Sequence, residues 1–190
     1  SLVSRAFHSD LLGKYEKYMC DLFGYDKLLP MNTGAEAVET AMKLCRKWGH
    51  EKKGIKPEQA KIVVAENNFH GRTISIISFS TNPDASRHFG PFTPGFEIIP
   101  YNDVSALEEL LEQDSQIAGV MLEPIQGEAG VILPDEGYLK KVEKVCRKHE
   151  VLLIADEIQT GLGRTGAMLA ADHEDVRPDM VILGKALSGG

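Results

Sequence analysis

The sequence predicts an α/β fold, a three-layer sandwich in which a mostly parallel central sheet carries helices on its faces. Three observations lead there. Short runs rich in Val, Ile and Leu, charged only at their ends, occur at residues 61–66, 117–122, 151–155 and 180–183, as strands buried on both faces require. Segments with apolar residues at helical spacing lie between most of them. Strand, helix, strand alternation of this kind is the pattern of a parallel sheet with crossover helices.

The elements follow in order. Leu11, Leu12, Tyr15, Met19, Leu22 and Phe23 repeat at helical spacing up to Gly24, a residue suited to ending a helix. Thr33-Gly34-Ala35-Glu36 is a capping box opening a second helix, with a stripe of Val38, Ala41, Leu44, Cys45 and Trp48. Gly49 and the polar residues 51–59 read as a loop before a strand at 61–66. Residues 74–79 are β-branched and apolar, and their pattern fits a helix and a strand equally. Pro, Gly and Asn make residues 81–95 a long loop. Ser105-Ala106-Leu107-Glu108 is a second capping box, opening a helix through Leu111. A strand at 117–122 ends at Glu123-Pro124. Tyr138, Leu139, Val142, Val145 and Cys146 mark a further helix, and strands at 151–155 and 180–183 follow.

Bulk composition bounds the function. The chain has 190 residues, 43% hydrophobic and 26% charged, with a net charge of −7. That is enough for one domain with a real core. The acidic balance gives no support for nucleic acid or an anionic membrane as partner, and no apolar run approaches a membrane span. The three cysteines, Cys20, Cys45 and Cys146, are dispersed; Cys45 and Cys146 fall on apolar faces of the expected helices and read as buried thiols in a reducing compartment. Six histidines (His8, His50, His70, His88, His149, His173) show no metal-ligand spacing, so no metal is expected. The first residue is Ser1 and the last is Gly190, and both ends read as cuts in a longer protein.

The chemistry-bearing residues gather at strand ends. Asp156 closes the run 151–155, and Lys185 follows the run 180–183 by two residues. In a parallel sheet both reach the carboxyl edge, where open α/β sheets bind ligands. An acid abutting five apolar residues requires a partner or a cation. A lysine able to form a Schiff base and an aspartate able to hold a pyridinium nitrogen are the two groups that pyridoxal phosphate (PLP) needs. Thr33, Gly34 and Ala35 open a helix, whose unpaired amides and dipole suit a phosphate; a plain cap is the alternative. Phe69-His70-Gly71-Arg72 offers a ring to stack and a guanidinium for a carboxylate, or simply a core Phe and a surface Arg. Glu123 and Glu128 bracket a polar turn after a buried strand. Gly161-Leu162-Gly163-Arg164-Thr165-Gly166 fits the dinucleotide pattern without the strand and helix that must flank it.

Together these residues resemble the class-III aminotransferases of PLP fold type I, from about Phe7 to Gly190. The motifs are Asn32-Thr33-Gly34-Ala35-Glu36-Ala37, Phe69-His70-Gly71-Arg72-Thr73, Glu123-Pro124-Ile125-Gln126-Gly127-Glu128, Asp156-Glu157-Ile158-Gln159-Thr160-Gly161 and Leu183-Gly184-Lys185-Ala186-Leu187-Ser188-Gly189-Gly190. The resemblance implies the PLP-binding large domain over residues 1–190, with an N-terminal segment and a C-terminal small domain outside the chain. Lys185 and Asp156 would be catalytic. The cofactor-binding set would be Thr33, Gly34, Ala35, Phe69, His70, Asp156, Ile158, Gln159 and Lys185. Phe69 and Ile158 would lie against the two ring faces, Gln159 on the phenolic oxygen, and Gly34 and Ala35 on the phosphate. Arg72, Glu123 and Glu128 would meet substrate, Glu128 also pairing with an arginine of the family's C-terminal region. Phe89-Gly90-Pro91-Phe92, Pro94-Gly95-Phe96 and Ile99-Pro100-Tyr101-Asn102-Asp103 carry a closer likeness to members that move the δ-amine of L-ornithine to 2-oxoglutarate. Members acting on acetylornithine or 4-aminobutyrate, and a PLP-binding fragment without turnover, are the alternatives. The resemblance further implies a homodimer, a place in arginine and proline metabolism, and a cytoplasmic location, or the mitochondrial matrix in a eukaryote.

Overall fold

The computed structural model describes residues 9–188, so His8, Phe7 and the closing Gly189-Gly190 of the last motif lie outside the described residues. The chain divides into two compact units, Ser1–Asn32 and Thr33–Gly190.

The first unit holds helix α1, Asp10–Phe23. Ser9 caps it, its hydroxyl accepting the Leu11 N–H at 3.3 Å. Gly24 ends it at φ 68°, a left-handed conformation that glycine adopts without a Cβ clash.

The second unit is built on five strands, β1 Lys61–Ala65, β2 Phe96–Ile99, β3 Ile117–Leu122, β4 Leu152–Asp156 and β5 Met180–Ile182. They pair in the order β2-β1-β3-β4-β5, all parallel. The period of two sends alternate side chains to opposite faces. Val63, Val120 and Leu153 meet Leu107 and Leu111 of α5 (Val104–Gln113) and Leu139, Val142 and Val145 of α6 (Tyr138–Lys148). Ile62, Val64, Met121 and Ile154 meet Val38, Ala41, Met42 and Cys45 of α2 (Gly34–Glu51). Two apolar clusters on opposite faces of one sheet give the expected three layers. Burial pushes the Cys45 and Cys146 thiols up to about 12, which leaves both as inert packing groups.

Four local readings change. The edge strand β2 is absent from the sequence reading, because its four residues alternate only weakly and sit beside Pro94 and Pro100. Helix α2 runs through Gly49, where a Cβ would come within 2.8 Å of Ala118 Cβ; the glycine lets helix and sheet approach, and the loop starts after Glu51. The cap of α5 is Asp103, whose Oδ1 accepts the Ala106 N–H at 2.9 Å, rather than Ser105. The ambiguous stretch becomes the one-turn helix α3, Ile74–Ile77, and the long loop holds another, α4, Pro83–Ser86. No helix among the described residues is long and apolar enough to cross a membrane.

Candidate active site

All the chemistry sits at the carboxyl edge of the sheet, because parallel strands bring their C-terminal ends to one rim. Phe69 and His70 follow β1, Glu123 follows β3, Asp156 ends β4 and Lys185 comes three residues after Ile182 of β5. These residues line one cavity of about 220 Å³. The start of α2 closes another side through Gly34 and Ala35, and Ile125, Glu128, Ile158 and Gln159 complete the wall.

Asp156 is 4% exposed. Its Oδ2 lies 2.6 Å from His70 Nδ1, and its Oδ1 accepts the Ile158 N–H at 3.1 Å. A carboxylate has about four lone-pair directions, so the pair held by the protein leaves room for a cationic donor from the cavity. His70 is also buried, and its Nε2 has no hydrogen-bond partner. Lys185 is half exposed, with Nζ 4.0 Å from Glu128 Oε1. Its backbone holds φ 41°, a conformation L-residues rarely adopt.

Glu123 is 8% exposed, and its Oε2 accepts the Phe69 N–H at 3.0 Å. Burial pushes its carboxyl above the ordinary value, and the charge of Asp156 adds to that; His70 and the amides of Phe69 and Gly127 pull the other way. The hydroxyl of Tyr101 donates to the carbonyls of Glu123 and Pro124, at 3.2 and 2.9 Å, and so fixes this strand end.

Glycines shape the wall. A Cβ on Gly34 would meet Ile158 Cδ1 at 2.9 Å, and one on Gly127 would meet Gln159 Nε2 at 2.8 Å. Gly71, at φ 133°, would meet Ile76 and Ala35. Bare backbone there leaves the space to the cavity.

Two residues of the expected set stand apart from the lining. The Thr33 hydroxyl accepts the Glu36 N–H at 3.1 Å, which makes it the cap of α2. Arg72 is exposed, with its guanidinium 5.5 Å from the Phe69 ring centre. Ile125 lines the cavity without having been singled out, although it lies inside a quoted motif. The glycine-rich run opens no helix: it is a string of turns, with Leu162, Gly163 and Gly166 at positive φ. Among the described residues Glu108, Glu112 and His149 also gather, with ligand atoms within 4.8 Å. Sequence spacing hides that cluster, since His149 is far from the two acids in the chain. The Lys148 ammonium already sits at 2.6 and 3.5 Å from its two carboxylates.

The family model "Aminotransferase class-III" matches residues 1–190. The chain belongs to the class-III aminotransferases. It is 63% identical over 190 residues to the mitochondrial ornithine aminotransferase of Rattus norvegicus, covering 43% of that protein. Among solved structures, ornithine aminotransferase of Toxoplasma gondii superposes with a TM-score of 0.96 at 55% identity, over 98% of this chain and 44% of that one; one of its structures is described with partial occupancy of PLP at the active site. Acetylornithine aminotransferase of Elizabethkingia anophelis matches with a TM-score of 0.86 at 60% identity, over 100% of this chain and 46% of that one. The chain thus spans under half the length of the relatives it matches.

Class-III aminotransferases use PLP, and the cavity has the chemistry to hold it. One amine, one carboxylate with free lone pairs, half-buried Phe69 and Ile158 as flat or branched apolar surfaces, and the first amides of an 18-residue helix open on one space. Those first amides have no partner within their own helix, and two of the residues there are too small to obstruct an anion.

Proposed function

We propose that the chain is the cofactor-carrying part of an ornithine 5-aminotransferase, converting L-ornithine and 2-oxoglutarate to L-glutamate 5-semialdehyde and L-glutamate. The observation that carries the reading is that Lys185 and Asp156 line one cavity at the carboxyl edge of the sheet. The choice of ornithine is supported by the relatives of that name, 55–63% identical across the whole chain.

Bound there, PLP supplies an electron sink for the pair left when the C–H bond beside the amine breaks. The remaining work falls to the chain. Lys185 would hold the cofactor through its Nζ, and the same amine, when free, would be the group placed to take the proton from the substrate's amine-bearing carbon and to return it. Asp156 would favour a positive charge on the ring nitrogen by charge pairing in a buried site. Phe69 and Ile158 would hold the ring between them, and Gln159 would donate to its phenolic oxygen. The Gly34 and Ala35 amides would hold the phosphate, with Thr33 acting through the cap it gives their helix. Arg72 binds a substrate carboxylate, with Glu123 supporting the Phe69 backbone beside it. Glu128 answers a positive group, Lys185 in this structure and an arginine from elsewhere in the protein during turnover.

The reading extends to a homodimer whose sites lie at the subunit interface. In a eukaryote it places the protein in the mitochondrial matrix, and in a bacterium in the cytoplasm. The Elizabethkingia match favours a second reading, in which acetylornithine is the amino donor. Half-reaction rates of the full-length protein with ornithine, acetylornithine and 4-aminobutyrate test the choice. The proposal expects ornithine to lead in kcat/KM by at least about tenfold, a margin a single hydrophobic or polar contact can supply; a lead by acetylornithine overturns it.

A further inference from the structure

The turn that presents Asp156, Ile158 and Gln159 to the cavity is anchored from behind by a residue that touches no part of the cavity. Glu157 is 1% exposed. Its Oε1 accepts the Ala171 N–H at 2.9 Å, and its Oε2 accepts the Ala170 N–H at 3.0 Å together with the Thr160 hydroxyl. Its own N–H donates to the Ile182 carbonyl at 2.9 Å, at the end of β5, and its carbonyl accepts the Gly161 N–H at 2.9 Å.

We propose that Glu157 is a positioning residue for the cofactor-facing turn. Its five hydrogen bonds tie residues 157–161 to the 3-10 helix Ala170–Glu174 and to the strand that leads to Lys185. The next residue in the chain supplies the amide that holds Asp156 Oδ1. Fixing that amide fixes one carboxylate oxygen, while His70 fixes the other. The same turn sets where Ile158 and Gln159 stand. A buried acid is costly unless its oxygens find donors, and here all three donors are neutral: two amides of the 3-10 helix and the hydroxyl of Thr160 in the turn itself. Only a carboxylate accepts from both amides at once; in either orientation the isosteric amide sets its NH2 against one backbone amide that also donates. An anchor behind the residues that contact a ligand is the support that a preorganised site needs.

The inference rests on the PLP reading, and its test separates the two. In full-length protein, wild type, Glu157→Gln and Thr160→Ala are compared by PLP dissociation constant without substrate. The pH midpoint of the bound cofactor's absorbance is the second readout, and hydrogen exchange of residues 156–161 in cofactor-free protein the third. The inference expects Glu157→Gln to weaken PLP binding tenfold or more, to shift the absorbance midpoint, and to speed exchange in that segment while β1 and β3 stay protected. Thr160→Ala, a smaller change that keeps the carboxylate, shifts all three in the same direction and decides the matter if Glu157→Gln fails to fold. A folded variant with a dissociation constant within twofold of wild type and an unmoved absorbance midpoint overturns the inference alone, leaving Glu157 a stability residue. Wild-type protein that takes up no PLP overturns both.

Discussion

His70 Nδ1 and Asp156 Oδ2 lie 2.6 Å apart, with side chains 0% and 4% exposed. The loop after β1 and the end of β4 therefore meet through a single polar contact beneath the cavity. Removing the imidazole leaves a buried carboxyl with one partner fewer. His70→Ala should cost about 3 kcal/mol, the usual loss when one member of a buried pair is removed. It should also weaken PLP binding. Urea unfolding of the cofactor-free protein and a PLP titration read the two effects separately, and a variant as stable as wild type would exclude the contact as a structural tie.

Glu123 gives a pH signature. Its carboxyl is raised from the ordinary 4.5, mainly by burial, so the folded state holds its proton more tightly than the unfolded chain does. Stability on this account falls as pH rises from about 4.5 through the raised folded value, and is level above it. Glu123→Gln removes that dependence while keeping an oxygen for the Phe69 N–H. Melting curves from pH 4 to 8 should show the variant gaining on wild type as pH rises, and a constant difference would refute the assignment.

Gly119 of β3 packs against α2, and a Cβ there would lie 2.4 Å from Cys45 Sγ. Gly119→Ala should destabilise by about 2 kcal/mol through overpacking. Adding Cys45→Ala should recover about half of that, because the two sites share one space. Chemical denaturation of the four proteins in the cycle measures the coupling, and simple additivity would contradict the packing.

Gly34 bears on the cofactor rather than on the fold. A Cβ there would push Ile158 Cδ1, 2.9 Å away, into the cavity. Gly34→Ala should weaken PLP binding about fivefold, ~1 kcal/mol of crowding, with little change in melting temperature. Ile158→Val in that background should restore it. A Gly34→Ala protein with undiminished affinity would remove Gly34 from the phosphate end.

Most of the sheet was legible in the sequence because a parallel strand covered on both faces is apolar throughout. Runs 117–122 and 151–155 read as strands for that reason, and each ends at an acid that the structure places on the cavity. What the sequence hid depends on distance rather than pattern. β2 is a short edge strand, and its identity comes from pairing with β1. Asp103 outcompetes Ser105 as a cap because the chain enters α5 two residues earlier than the pattern suggests. Glu157 stood in a recognised motif beside Asp156, yet its partners are backbone amides 13 and 14 residues away, which no spacing rule encodes. Gly49 looked like a helix terminator and is instead a contact surface.

The central claim is that residue 185 carries the cofactor on its amine while residue 156 faces the same space. The most direct measurement is borohydride reduction of the full-length protein loaded with PLP, followed by peptide mass mapping of wild type and Lys185→Ala. The account predicts one reduced cofactor on the peptide containing Lys185, and none in the variant. Label on another lysine, or equal labelling of the variant, would contradict it.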